Sequence, residues 1–299
     1  MLPLSHSKPL ILVKSITVHM IYVQSRLVNI LYWYNFPMKI GIVFKEGNVK
    51  AQSLVKEASA YIRSRGHEVL GEDALEGADY IVTFGGDGTL IHKACEHVER
   101  NVPFVGVNTG NIGFLTAVES DSWQEAMDKI LAGKVFVSER MSLQVAVGDK
   151  LYSAVNEVAV KGLYRVVNLK INIKGEDFLS ILGDGVIVAG QTGSTAYSLS
   201  AGGPIVDPDL DCFLLTPINP IGLPIPSVVL SSTDTISISV AKGGDVSLII
   251  DGQEHTKLES GAVVGVKKGE NNIKFGYFDQ NHFLKALNAK FGLGSRAKG

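Results

Sequence analysis

The segment IVTFGGDGTLIHKAC, residues 81–95, sets one carboxylate, Asp87, among Gly85, Gly86 and Gly88, directly after the apolar run Ile81-Val82-Thr83-Phe84. In an open parallel sheet, ligands bind beyond the carboxyl ends of the strands, and glycines there let a ligand approach the backbone. Amides at the start of the helix that follows Thr89 attract phosphate. A carboxylate in such a cradle repels an anion. Asp87 therefore fits if it binds a metal together with the phosphate, or takes a proton from a hydroxyl that attacks phosphorus. The segment alone equally admits a structural role, with Asp87 or Thr89 capping the helix.

Other phosphate and hydrolase signatures are missing. No glycine-rich segment ends in Gly-Lys-Ser/Thr, and neither HExxH nor GxSxG occurs. GVNTGNIGF carries glycines at 106, 110 and 113, which is not the dinucleotide spacing and by itself reads as a tight loop. Asn156-Glu157 interrupts the apolar strand YSAVNEVAV. Such a pair faces solvent or a turn, or grips ribose hydroxyls or an adenine edge. Residues 183–204, GDGVIVAGQTGSTAYSLSAGGP, hold a second Gly-Asp-Gly and then Thr192, Ser194, Thr195, Ser198 and Ser200 around Tyr197. A small-residue turn before a helix explains the caps but not so many hydroxyls between apolar strands.

The elements that must carry these residues alternate after Met38. KIGIVF reads as a buried strand, and 49–65 as a helix with Leu54, Val55, Ala58 and Ile62 on one face, stopped by Gly66. HEVL, DYIVTF and PFVGVN read as further strands, and Asp121-Ser122 as the cap of a helix that buries Trp123, Ala126, Met127, Ile130 and Leu131. This rhythm predicts a mostly parallel sheet in an α/β domain over 38–137. From Ser138 the segments are short and β-like, which predicts a β-rich domain over 138–270. Over 271–299 a terminal helix with Phe283, Leu284, Leu287 and Phe291 as its stripe needs a surface, so it should dock back on the N-terminal domain.

Composition excludes several classes. A hydrophobic fraction of 45% and a charged fraction of 19% describe a globular chain, and a net charge of -2 points to neither nucleic acid nor an anionic membrane as partner. Cys95 and Cys212 match no zinc spacing or disulfide framework, which suits a reducing cytoplasm. Residues 1–37 contain no Asp or Glu, and Lys8, Lys14 and Arg26 break their apolar stretches below the roughly 20 residues of a membrane span. They are expected to be a non-native or disordered extension ahead of MKIGIVF; a weak membrane tether is the alternative.

Taken together, GGDGT at 85–89, NTGNIGFLT at 108–116, NE at 156–157, TGSTAYSLSAGGPIV ending at 206 and DGQ at 251–253 resemble the bacterial NAD kinases. The resemblance spans 38–294. GGDGT is shared with diacylglycerol and sphingosine kinases; TGSTAYSLSAGGP is far more specific. The resemblance implies the NAD kinase/diacylglycerol kinase-like fold, with a site between the two domains. It implies phosphorylation of the adenosine-ribose 2′-hydroxyl of NAD to give NADP, with ATP or polyphosphate as donor and Mg²⁺ or another divalent cation. A cytoplasmic homodimer or homotetramer is expected, without a membrane or nucleic-acid partner. Carried over by position, Asp87 is the general base and Gly88 the point of close backbone approach. Asn156 and Glu157 hold NAD, Asp184 is a further nucleoside contact, and Thr195, Ala196, Tyr197, Ser198, Leu199 and Ser200 form the surrounding loop. Gln253 lies near the ligand, while His92 and Arg165 are looser matches that meet a phosphate or solvent. No metal ligand is singled out. Ala189-Gly190-Gln191 replaces the usual Ser-Thr-Pro, which bears on the rigidity of the loop. Ile221-Gly222-Leu223 and Pro226-Ser227 replace the usual His-Ser-Leu and Arg-Pro, which bears on subunit contacts or the donor. A lipid kinase and a catalytically silent NAD(P)(H) sensor are the competing expectations.

Overall fold

The computed structural model describes residues 37–110, 113–242 and 244–292. The expectation for the leader therefore falls, apart from Pro37, outside the described residues. The first half runs β1 (Lys39–Phe44), α1 (Val49–Ser64), β2 (Glu68–Leu70), β3 (Tyr80–Gly85), α2 (Asp87–Glu96), β4 (Phe104–Asn108), β5 (Val118–Glu119), α3 (Trp123–Leu131) and β6 (Phe136–Arg140). Local chemistry accounts for the helix ends. The Asn48 side chain accepts the Ala51 amide at 3.0 Å to start α1, and Gly66 at φ 83° follows its end. The expected Asp121-Ser122 cap is not made: residues Ser120–Ser122 form a 3₁₀ turn, and Ser122 gives α3 no side-chain hydrogen bond. Trp123, Ala126, Met127 and Ile130 are nonetheless core residues.

The second half runs β7 (Leu143–Val147), β8 (Lys150–Ala154), β9 (Glu157–Gly162), β10 (Val167–Ile173), β11 (Glu176–Gly183), β12 (Gly185–Ala189), α4 (Tyr197–Ser200), β13 (Cys212–Ile218), β14 (Val228–Ser231), β15 (Ile236–Lys242), β16 (Val246–Ile250), β17 (Gln253–Leu258), β18 (Val263–Lys268), β19 (Ile273–Tyr277) and α5 (His282–Phe291). Two six-stranded antiparallel sheets result, ordered β11-β10-β15-β18-β7-β8 and β14-β13-β12-β9-β16-β17. One apolar cluster lies between them, including Leu143, Val160, Val186, Phe213, Ile238 and Leu248. Strands buried on alternate residues, such as β15, face that core with one side only.

The N-terminal sheet has the order β2-β1-β3-β4-β19-β6, with β5 beside β4. All its pairings are parallel except β19 with β6. Strand β6 crosses the boundary expected at residue 137/138, because Phe275 on β19 needs a partner and finds Ser138. YSAVNEVAV, read as one strand, is two: β8 and β9 belong to different sheets and the chain changes sheet at Val155-Asn156. The terminal helix docks less fully than its stripe predicts. Ala286 is its buried residue, and Leu284 is 56% exposed. Contact comes instead through Phe291 on Phe114 and through His282 stacked on Tyr277.

Candidate active site

Strand β3 is buried along its length and delivers Asp87 as the first residue of α2. Gly86 is the N-cap and supplies no side chain, so neither Asp87 nor Thr89 caps the helix. The Asp87 carboxylate turns to the neighbouring loop instead. Oδ2 accepts the Phe114 amide at 2.5 Å, and Oδ1 accepts those of Leu115 and Thr116 at 3.2 and 3.0 Å. A carboxylate has about four acceptor positions, so one remains open, on Oδ2. The three glycines divide their work. A side chain at Gly85 would strike Thr89, whereas the space beside Gly86 and Gly88 is empty of protein. That leaves room for a ligand against the α2 N-terminus.

Asn156 and Glu157 sit at the sheet change. Asp251, at φ 47° in the turn between β16 and β17, holds them there. Its carboxylate accepts the amides of Val155, Asn156 and Glu157 at 2.8, 2.7 and 3.1 Å, and its own amide donates to the Glu157 carbonyl at 3.0 Å. Val155 packs in one cluster with Leu90, Ile91 and Ala94 of α2. The pair thus begins one residue from the helix that carries Asp87. Asp251 stands in the DGQ segment, where the sequence points to Gln253 alone, yet it is Asp251 that holds this turn. A carboxylate beside glycine at a strand end was its only local signal.

The segment after β12 lies on Asn156. The Gly190 amide donates to the Asn156 carbonyl at 2.9 Å, and a side chain at Gly193 would overlap that carbonyl. Thr195 bonds the Thr192 carbonyl at 3.4 Å. Ser198 is buried and pairs with Thr216 at 3.0 Å, and Thr216 with Ser227 at 2.7 Å. The hydroxyl of Tyr197 lies 3.5 Å from Lys161 Nζ. Ala196 and Leu199 are half-buried and Ser200 is exposed. Gln191, which stands where the resembling family has proline, keeps φ at −56°, close to the value a proline ring imposes. Its amide donates to Asp211 at 2.9 Å, and Lys268 holds the other Asp211 oxygen at 2.5 Å. The loop is braced by a side chain instead of a ring.

Asn156 Oδ1 and Glu157 Oε2 are buried without a hydrogen-bond partner. Burial first, then the charge of Asp251, pushes the Glu157 carboxyl up to about 8 against the pull of the Tyr197 amide. Asp251 is also raised by burial, while its three amide donors pull it back. At about 8, the Glu157 carboxyl carries a proton near neutrality.

Four sequence candidates do not converge on this point. Asp184 precedes β12 and pairs with Asn219 at 2.8 Å, while Glu157 pairs with Ala189 at the strand's other end. The length of β12 separates them by about 16 Å. Arg165 is exposed in the turn after β9, again remote from Glu157. His92 faces outward and meets Glu96 at 3.2 Å. Gln253 is exposed at the start of β17, two residues past Asp251. Among the described residues one cluster has metal-ligand geometry, Glu72, Glu96 and His97, at the far end of α2 from Asp87. Lys93 already fills it, 2.5 and 2.9 Å from the two glutamates.

Comparisons with known proteins bear on the family and the fold. Residues 11–135 match the model of the ATP-NAD kinase N-terminal domain, and residues 155–276 that of the ATP-NAD kinase C-terminal domain. An NAD kinase of Fusobacterium nucleatum is 34% identical over 86% of this chain and 98% of its own length. One of Thermococcus sibiricus is 34% identical over 83% of this chain and 97% of its own. Among solved structures, an Archaeoglobus fulgidus NAD kinase in complex with ATP superposes with a TM-score of 0.70 at 27% identity, covering 88% of this chain and all of that one. A yeast NADH kinase complexed with NADH shares the fold at a TM-score of 0.77 and 24% identity, over 88% of this chain and 90% of that one. With both domain models matched in order and relatives aligned along nearly their full length, the chain belongs to the NAD kinase family.

Proposed function

We propose that this chain transfers the terminal phosphoryl group of ATP to the 2′-hydroxyl of the adenosine ribose of NAD, giving NADP. The observation that carries the reading is the pairing of an open acceptor position on Asp87 Oδ2 with two unpartnered buried oxygens on Asn156 and Glu157. Protonated Glu157 donates to the nucleoside and Asn156 orients it. Asp87 takes the 2′-hydroxyl proton as the new oxygen–phosphorus bond forms. The bond between the terminal phosphorus and its bridging oxygen breaks, and the electron pair leaves on ADP. A divalent cation, when bound with the donor, neutralises phosphate charge. Mg²⁺ binds largely through substrate phosphates and would need few ligands from the protein.

We further assign a cytoplasmic homo-oligomer. Leu182, Ile221 and Leu223 are large apolar side chains left exposed, and assembly would cover them. Light scattering on purified protein checks it; a monomer at micromolar concentration removes it.

The test of activity is NADP formation from NAD and Mg²⁺ with ATP or polyphosphate, read by an NADP-specific dehydrogenase. ATP-dependent product that disappears in Asp87→Asn is the expected result. Product that persists in that variant overturns the role of Asp87, and no product from either donor overturns the kinase reading.

A further inference from the structure

A cleft of about 380 Å³ opens between β6, the end of β19 and the start of α5. Arg140, Asp207, Asp209, Tyr277, Asp279 and His282 line it. Arg140 is 4% exposed, and its Nε donates to Ser138 at 2.8 Å. Burial disfavours its charge, while Tyr277, Asp209 and Asp207 support it electrostatically. Tyr277 is 5% exposed, and its hydroxyl is buried with no partner, as is Nε2 of His282. Buried polar groups are hydrogen-bonded as a rule, so unspent donors converging on one cavity mark a place for an acceptor.

The chemistry of that acceptor follows from the lining. A guanidinium fork beside a phenolic hydroxyl suits the oxygens of a phosphate. Asp207 and Asp209 on the same cleft repel a bare anion but accept a phosphate that brings a divalent cation. Asp279 is already paired with Lys285. The cleft lies on the Phe114 side of Asp87: the His282 ring rests against the Phe114 backbone, and the Phe114 amide is bonded to Asp87 Oδ2. The Asp87 charge acts on both Tyr277 and His282.

We infer that this cleft seats the phosphate tail of the donor as its divalent-cation complex, with Arg140 and the Tyr277 hydroxyl gripping phosphate oxygens. Its catalytic meaning rests on the kinase reading; its anion chemistry does not. Tyr277→Phe removes one hydroxyl that bonds to nothing in the protein, so the fold is retained. Arg140→Lys keeps the charge and loses the fork.

Magnesium tripolyphosphate is titrated calorimetrically into the full chain without NAD, and KM for ATP and for NAD is measured alongside. Each variant should weaken tripolyphosphate about tenfold and raise KM for ATP similarly, with KM for NAD within about twofold of the original. Tripolyphosphate binding that is absent in the parent chain, or unchanged in both variants, overturns the inference. If NADP forms while the variants bind tripolyphosphate normally, the cleft fails and the kinase stands. If no NADP forms but both variants lose tripolyphosphate, the kinase reading fails and the anion site stands.

Discussion

Gly113 faces the Asp87 carboxylate so closely that one added carbon at 113 would overlap both carboxylate oxygens. The contact explains a glycine that the sequence presents only as part of a tight loop. The peptide N–H groups of Phe114, Leu115 and Thr116 reach Asp87 because residue 113 has no side chain. Gly113→Ala should push the carboxylate off its three donors. We expect kcat to fall at least about 100-fold, the scale of a lost general base, with KM for NAD changed little. Circular dichroism separates this from unfolding. Near-normal kcat in a folded variant would show that Asp87 tolerates displacement.

Asp251 does for Asn156 what the 114–116 amides do for Asp87, with the roles of side chain and backbone exchanged. In Asp251→Asn an amide NH₂ replaces one acceptor and confronts a backbone N–H. The expected loss is about 2–4 kcal/mol of stability, typical of a broken buried charge-assisted network. KM for NAD should rise more than KM for ATP. Equal rises in both would place Asp251 in the general fold and not in NAD positioning.

The raised Glu157 carboxyl makes a signed prediction. The folded value near 8 lies above the ordinary 4.5, so the unfolded chain ionises first as pH rises. The contribution to stability is whole below about pH 4.5, declines from there, and is gone once pH passes about 8. The melting temperature of the parent chain should therefore fall more steeply between pH 5 and 8 than that of Glu157→Gln. NAD affinity should likewise decline above about pH 8 in the parent only. Parallel pH profiles for the two proteins would refute the protonated state of Glu157.

Gln191 is 2% exposed and spends its amide on Asp211. Gln191→Ala should cost about 1–2 kcal/mol and loosen the 192–195 turn that overlies Asn156. Hydrogen exchange at 190–196 should rise while the exchange of β3 stays unchanged. If neither stability nor exchange moves, the backbone geometry alone braces the loop.

Much of this was legible in the amino-acid sequence for a physical reason. Buried strands at period two, helices at period 3.6 and glycines at strand ends are local patterns, and they place β3, α1, α3 and the β-rich half without reference to distant residues. The motif residues Asp87, Asn156 and Glu157 were legible too, because their residue types are odd in apolar surroundings. The break between β8 and β9 was not: Val155 is as apolar as its neighbours, and its burial against Leu90 and Ile91 is a property of two segments meeting.

By itself, then, the sequence determined the two-part architecture and the motifs that mark the family. The tertiary structure alone decided how those motifs are held. It turned Asp87 from a helix cap into the anchor of a loop 27 to 29 residues away. It gave Asp251 command of amides 94 to 96 residues earlier. It separated Asp184 from Glu157 by the length of a strand, and it gathered Arg140, Tyr277 and His282 into one cleft. Local periodicity carries no record of which distant donor meets which acceptor, because that pairing exists only once the sheets have packed.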